Sequence, residues 1–363
     1  MKVKRLFLLG ALILLAALLS ACGGTPAAAT WPGLAADSTA AYLADGSIVY
    51  AVRLKDGAEL WRFPAKADSK LSFYSNPVFT SDGQLLVGSS GSSHTLYRID
   101  PQTGQDNWSF SDAGDHWEAS PLVVGNMAYA PNVDGFLYAF DMTQNGANSL
   151  AWKVELGGKL WSQPVTDGKR LYVASLDHHI YAVDIQTHEI VWTTALKGAV
   201  TGNPTLSGDK LYVGSFGAVL DAINTSDGSI AWSISTKGWL WSGPAVNDGV
   251  LYFGDLLGNF YSINAADGKP AADTIQPDPN QAILATPLIT NGQIIFVSEA
   301  GVVYSLTPGG KPLSLEKMNG KLYTAPVVAG DLILVAPFQG DSLLVALDQA
   351  GKQVWVYPTP AAK

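Results

Sequence analysis

Residues 171–192, LYVASLDHHIYAVDIQTHEIVW, hold His178, His179 and His188, three of the five histidines in the chain. Residues 211–232 read LYVGSFGAVLDAINTSDGSIAW, and the chain from 251 reads LYFGDLLGNFYSINAADGKP. A Leu-Tyr pair, an alternating apolar run and a turn thus recur at steps of forty residues. His178 aligns with Ala218, Gly258 and Gly135, and His188 aligns with Gly228 and Gly268. Both histidines stand where sister copies carry a turn glycine, at positions that favour positive φ. Between them IYAVDI is extended, and at roughly 3.3 Å per residue its ends lie on the order of 20 Å apart. His178 and His179 are neighbours that point to opposite faces of a strand. No single metal ion spans the three, so the stretch is one copy of a repeat and its histidines are exposed turn residues.

The repeat extends over the chain. Trp61, Trp108, Trp152, Trp192, Trp232 and Trp355 close units ending ELW, DNW, LAW, IVW, IAW and QVW. The interval from Trp232 to Trp355 holds three units of about forty residues, two of which lack the tryptophan. A proline opens each unit: Pro32, Pro77, Pro121, Pro164, Pro204, Pro244, Pro287 and Pro326. Both markers give eight units. Each parses into four short strands, in the quoted copy QPVTD, LYVASL, HIYAVDI and EIVWTTAL. Four strands at this period predict a propeller blade, whose faces are buried only against neighbouring blades. The expected fold is all-β, an eight-bladed β-propeller of four-stranded antiparallel blades over residues 31–357, with a tail at 358–363 and no helix in the ring. The closing tryptophans fall on the outermost strand, where a large ring covers the cleft to the next blade. Closure is expected by packing of blade one, with Trp61, against blade eight, with Trp355.

Residues 1–21 read as an export signal: Lys2, Lys4 and Arg5 precede an apolar run from Leu6 to Leu19 and a small-residue end. That run is shorter than the ~20 residues a bilayer span needs. Leu19–Cys22, LSAC, resembles a bacterial lipobox, which implies lipid on Cys22, the only cysteine. Residues 22–30 read as a flexible tether. Removing the three leading cations takes the net charge from −9 to −12, which argues against nucleic acid as a partner. With no further cysteine, the domain is held by its core rather than by disulfides.

The pieces LYVGS, DGFLYAFD and PQTGQDNW resemble the pyrroloquinoline-quinone-like (PQQ-like) propeller repeat, and the resemblance covers residues 31–357. One branch of that family, the quinoprotein dehydrogenases, implies paired cysteines, calcium-binding carboxylates, a catalytic aspartate and long insertions. No position here receives those residues, so no cofactor is expected, and neither is dehydrogenase activity. HExxH, GxSxG and phosphate-loop motifs are also missing from the sequence. The other branch, lipid-anchored propellers similar to BamB, implies a non-enzymatic envelope scaffold with protein partners, among them β-barrel assembly components. Gly23 after Cys22 is compatible with sorting to an outer membrane in a two-membrane cell; otherwise the anchor implies the outer face of the cell membrane.

Two regions carry candidate function. The run SDAGDHWEASP, residues 111–121, gathers Asp112, Asp115, His116, Trp117 and Glu118, a set that suits either a cation or acid/base site or a solvated loop. The links entering the units read FYSNP, HWEASP, LWSQP, GWLWSGP and LYTAP, placing Tyr74, Trp161, Trp241 and Tyr323 three residues before the proline. Asn76, Gln163, Asn203 and Thr286 directly precede it. These links enter the innermost strands, at one mouth of the channel. Aromatic rings with polar neighbours there suit a glycan, a peptide or a partner protein, or else they fill the space between blades.

Overall fold

The computed structural model describes residues 31–358. Eight sheets follow one another along the chain, each a simple meander of antiparallel neighbours. Blades one to eight occupy residues 33–63, 78–110, 122–155, 165–195, 205–235, 245–275, 288–317 and 327–357. The protein is an eight-bladed β-propeller. All eight prolines stand immediately before the first residue of an innermost strand. Two details differ from the sequence reading. A short 3-10 turn, Gly146–Ser149, precedes the outer strand of blade three. In blade six the fourth strand is reduced to bridges between Phe260 and Ile275 and between Ile263 and Pro270. Pro270, Pro277 and Pro279 crowd that segment, and proline cannot donate to a ladder.

The burial pattern explains the repeat. The two middle strands of a blade are covered on both faces, as in Arg170–Ala174 and His179–Asp184, whereas the outer strand Ile190–Ala195 is mostly open. Middle strands therefore read as nearly continuous apolar runs, LYVA and IYAV. The buried apolar residues form eight clusters, each joining two adjacent blades. No blade has a core of its own.

The tryptophans show how blades lock. In blades one, two, four, five and eight the indole Nε1 donates to a carbonyl of the next blade: Trp61 to Pro101, Trp108 to Gly146, Trp192 to Thr225, Trp232 to Ala265 and Trp355 to Leu54, at 2.7–3.2 Å. A bulge in the outer strand just before the tryptophan, such as the residue skipped between the pairs Ala182–Trp192 and Val183–Ile190, bends the strand toward its neighbour. The indole of Trp192 lies over Gly228, which has φ +75 and no room for a side chain. His188 occupies the equivalent slot of blade four with φ 62, and its ring stacks on Trp152 at 4.4 Å. His178 is likewise a turn residue, with φ 73. His178 and His188 are thus turn substitutes for glycine, the second serving the blade interface, whereas His179 is not the exposed turn residue expected: it opens the third strand of blade four and is half-buried.

The ring closes as the repeats imply. Blade one is wholly N-terminal and blade eight wholly C-terminal, with no strand exchanged. They are joined by a shared cluster that includes Leu34, Leu43, Leu334 and Trp355. Hydrogen bonds from Trp355 to Leu54, from the Thr324 hydroxyl to the Pro32 carbonyl and from Tyr357 to Glu59 complete the seam.

Candidate functional site

Seven links between blades share one register before the proline. The residue four places ahead is apolar and buried: Phe73, Trp117, Leu160, Val200, Leu240, Ile283 and Leu322 are each at most 1% exposed. The residue two places ahead is small and buried, from Ser75 in the first link to Thr324 in the last. An extended backbone turns alternate side chains to opposite sides. The residues three and one ahead of the proline therefore face the channel mouth, and they vary round the ring.

This register corrects one expectation. Trp117, a candidate binding residue in the sequence, stands four residues before Pro121 and belongs to the core between blades two and three. It is 1% exposed, packs edge-on against Tyr138 at 5.3 Å and donates from Nε1 to the His94 carbonyl at 2.9 Å. It offers no face to a partner. Glu118 takes the mouth-facing slot in that link. Burial pushes its carboxyl up to about 7, an effect that His116 offsets and Asp115 reinforces. The Tyr74 hydroxyl is raised as well, by burial first and then by the charge of Glu118.

Tyr74, Trp241 and Tyr323 converge, and the residue they converge on is Trp31. Ring centroids lie 4.6 Å from Trp31 to Tyr323, 4.9 Å to Trp241 and 5.8 Å to Tyr74. Trp31 fills the slot directly before Pro32, where other links carry Asn76, Gln163 or Asn203. Sequence reasoning passed over it; an aromatic in a slot otherwise filled by polar or small residues was the available signal. From Trp241 the aromatic surface continues through Phe216 at 5.4 Å to Trp239, 5.7 Å farther and 55% exposed. Trp161 is not part of this group, and its buried Nε1 has no hydrogen-bond partner among the described residues.

The polar residues of the mouth are engaged in lacing blades together. Asn76 Oδ1 accepts from the Leu34 amide at 2.9 Å, Asn203 Oδ1 accepts from the Gln163 amide at 2.8 Å, and Gln163 Nε2 donates to the Pro121 carbonyl at 2.7 Å. Thr286 Oγ1 donates to the Gly243 carbonyl at 3.1 Å. These bonds hold the rim rigid beneath the rings. On one side of Trp31 a cleft of about 280 Å³ is lined by Trp241, Leu256, Leu284, Tyr323 and Glu299. On the other, a cavity of about 170 Å³ reaches Tyr74, Asn76 and Asn203. The Tyr323 hydroxyl donates to Glu299 at 2.9 Å, and Lys321 Nζ pairs with the same carboxylate at 2.6 Å. Lys321 chiefly holds Glu299 below the usual glutamate range. Flat rings, an apolar cleft and a fixed carboxylate make a surface suited to binding.

A family model described as outer membrane protein assembly factor BamB matches residues 44–149 and 143–240. Among curated proteins, the chain is 29% identical over 134 residues to the outer membrane protein assembly factor BamB of Legionella pneumophila (strain Paris), covering 37% of this chain and 32% of that protein. It is 31% identical over 202 residues to the serine/threonine-protein kinase AfsK of Streptomyces griseus, covering 46% of this chain and 24% of that protein. The chain thus spans about a third or less of these relatives. Among solved structures, BamB from Moraxella catarrhalis superposes with a TM-score of 0.71 at 17% identity, over 86% of this chain and 94% of that one. The computationally designed Ika8 protein superposes with a TM-score of 0.75 at 12% identity, over 89% and 98%. At these identities the two structures share the fold.

Proposed function

Because the chain belongs to the PQQ-like propeller family described as outer membrane protein assembly factor BamB, we propose that it is a non-enzymatic, lipid-anchored scaffold of the cell envelope that docks an assembly partner at the channel mouth. The observation that carries the reading is the half-buried cluster of Trp31, Tyr74, Trp241 and Tyr323. Rings that only filled blade interfaces would sit in the buried slots, as Phe73 and Trp117 do. Rings gathered on a rigid mouth give a partner large contact area at small entropic cost, as interface hot spots do.

Cys22, which lies outside the described residues, is the proposed point of lipid attachment. Trp31 follows nine positions later, so the mouth is held within roughly 30 Å of the membrane surface. This orientation suits a partner that is itself in or at the membrane. Cys22→Ala is expected to leave an uncleaved precursor.

The test is capture of β-barrel assembly components by the full-length protein in detergent. The Trp31→Ala/Trp241→Ala double variant should lose capture and keep nearly the parental melting temperature. Loss of stability with capture intact would make the rings core and move the partner elsewhere. Retention on a glycan matrix, abolished by the same pair, would replace the protein partner with a sugar.

A further inference from the structure

The quoted histidines do not form a metal site, but another set does come together. His94 lies in the turn between the second and third strands of blade two, whereas Asp115 and His116 lie in the link from blade two to blade three. Strands of a meander alternate in direction, so that turn and that link fall on the same face of the ring as the aromatic mouth. One ligand atom from each of the three residues lies within 4.8 Å of the others. The rings of His94 and His116 are 4.5 Å apart, and the Asp115 carboxylate is in hydrogen-bond contact with His116 Nδ1. All three side chains are partly exposed and open to solvent.

The backbone that presents them is fixed. The His94 carbonyl accepts from the buried Trp117 indole at 2.9 Å, and the His94 amide donates to the Gly91 carbonyl at 3.1 Å. The Asp115 carbonyl accepts from Asn132 Nδ2 at 2.9 Å, and the His116 carbonyl accepts from the Val133 amide at 3.1 Å. Rigid backbone beneath two imidazoles and a carboxylate is what a metal site needs, because little ordering remains to be done on binding. Ligands of a bound zinc ion at ~2.0–2.2 Å must lie within about 4 Å of one another, so small side-chain rotations close the set.

The geometry points to His94, Asp115 and His116 as a binding site for one divalent transition-metal ion of the zinc type, with a coordination position left open toward solvent on the mouth face. Two nitrogens and one carboxylate oxygen favour zinc, and disfavour magnesium and calcium, which take oxygen ligands. The open position gives the ion a place for a carboxylate or imidazole from outside the chain. This assignment stands apart from the aromatic mouth, since none of the three residues belongs to that cluster.

The experiment is competition for zinc between a chromophoric chelator and the metal-stripped full-length protein in detergent, read as stoichiometry and affinity. Wild type and His178→Ala should each bind one tight equivalent, whereas His94→Gly and Asp115→Asn should weaken binding roughly tenfold or more. Glycine suits position 94, where φ is 47, so the ligand is removed without backbone strain. Cobalt(II) absorption gives a second readout: a four-coordinate spectrum in wild type, absent from His94→Gly. Equal zinc affinity in wild type and His94→Gly, or loss of the tight equivalent in His178→Ala, would overturn the assignment.

Discussion

The same residue types do opposite work at the two ends of a blade. On the outer strands, tryptophans such as Trp61, Trp192 and Trp355 recur in one slot and hydrogen-bond to the next blade. At the mouth, Tyr74, Trp241 and Tyr323 occupy a slot that also accepts Glu118, Thr201 and Leu284, and they gather round a tryptophan from a different slot. A position filled alike round the ring answers a need every blade shares. A position filled unevenly answers a need that the ring has once.

This contrast can be broken by mutation. Trp355→Ala should be the most damaging change, because the side chain is 8% exposed and seals the first blade to the last. A loss of about 4 kcal/mol in denaturant unfolding is expected. Trp192→Ala, at a half-exposed site between two sequential blades, should cost about 3 kcal/mol. If Trp241→Ala costs as much as Trp192→Ala, the distinction between outer strand and mouth fails.

Asp221 sharpens the contrast from inside the core. It fills the slot where other third strands carry Tyr138, Tyr181 or Tyr261, and it is 3% exposed. Ser233 donates to Oδ1 at 2.5 Å, and Oδ2 has no partner among the described residues. Burial raises its carboxyl above the ordinary 3.8, outweighing Ser233 and Lys197. The folded state therefore holds this proton more tightly than the unfolded chain does. Stability from this group is present below the ordinary value and is lost as pH rises through the raised one. Asp221→Asn should raise the melting temperature by on the order of 2 °C at about pH 7 and leave it unchanged at about pH 3. An equal rise at both values would trace the effect to packing. His178→Ala should have the smallest effect, within about 0.5 kcal/mol, because the side chain is exposed.

The ring was legible because its architecture is repetitive. Leu-Tyr runs, turn glycines and prolines at forty-residue steps defined the blades, and His188 replacing a glycine told what kind of turn it occupies. The fourth strand of blade six was not legible, since GNFYSINAADGKP matches its sisters and the disruptive prolines follow it. Trp117 was a candidate because it shares a run with Asp115, His116 and Glu118, yet it stands one residue before the mouth-facing slot, and one residue along an extended chain is the difference between mouth and core. Trp31 escaped notice because the rings that define its role, Trp241 and Tyr323, lie on links that ring closure brings round to it. His94 was equally silent, being in a hairpin turn about twenty residues before the link that carries Asp115 and His116.

The seam between blades one and eight has a temporal consequence. Seven of the eight interfaces join blades that are consecutive in the chain, so each can set as soon as the next unit is available. The eighth must wait, because the bond from Trp355 to Leu54 bridges 301 residues. Until the last strand arrives, the growing molecule is an open arc with an uncovered apolar face at either end. Long-range closure of this kind is slow and exposes such faces to aggregation. A chain cut short before blade eight would remain that arc permanently, however well its first seven blades had formed.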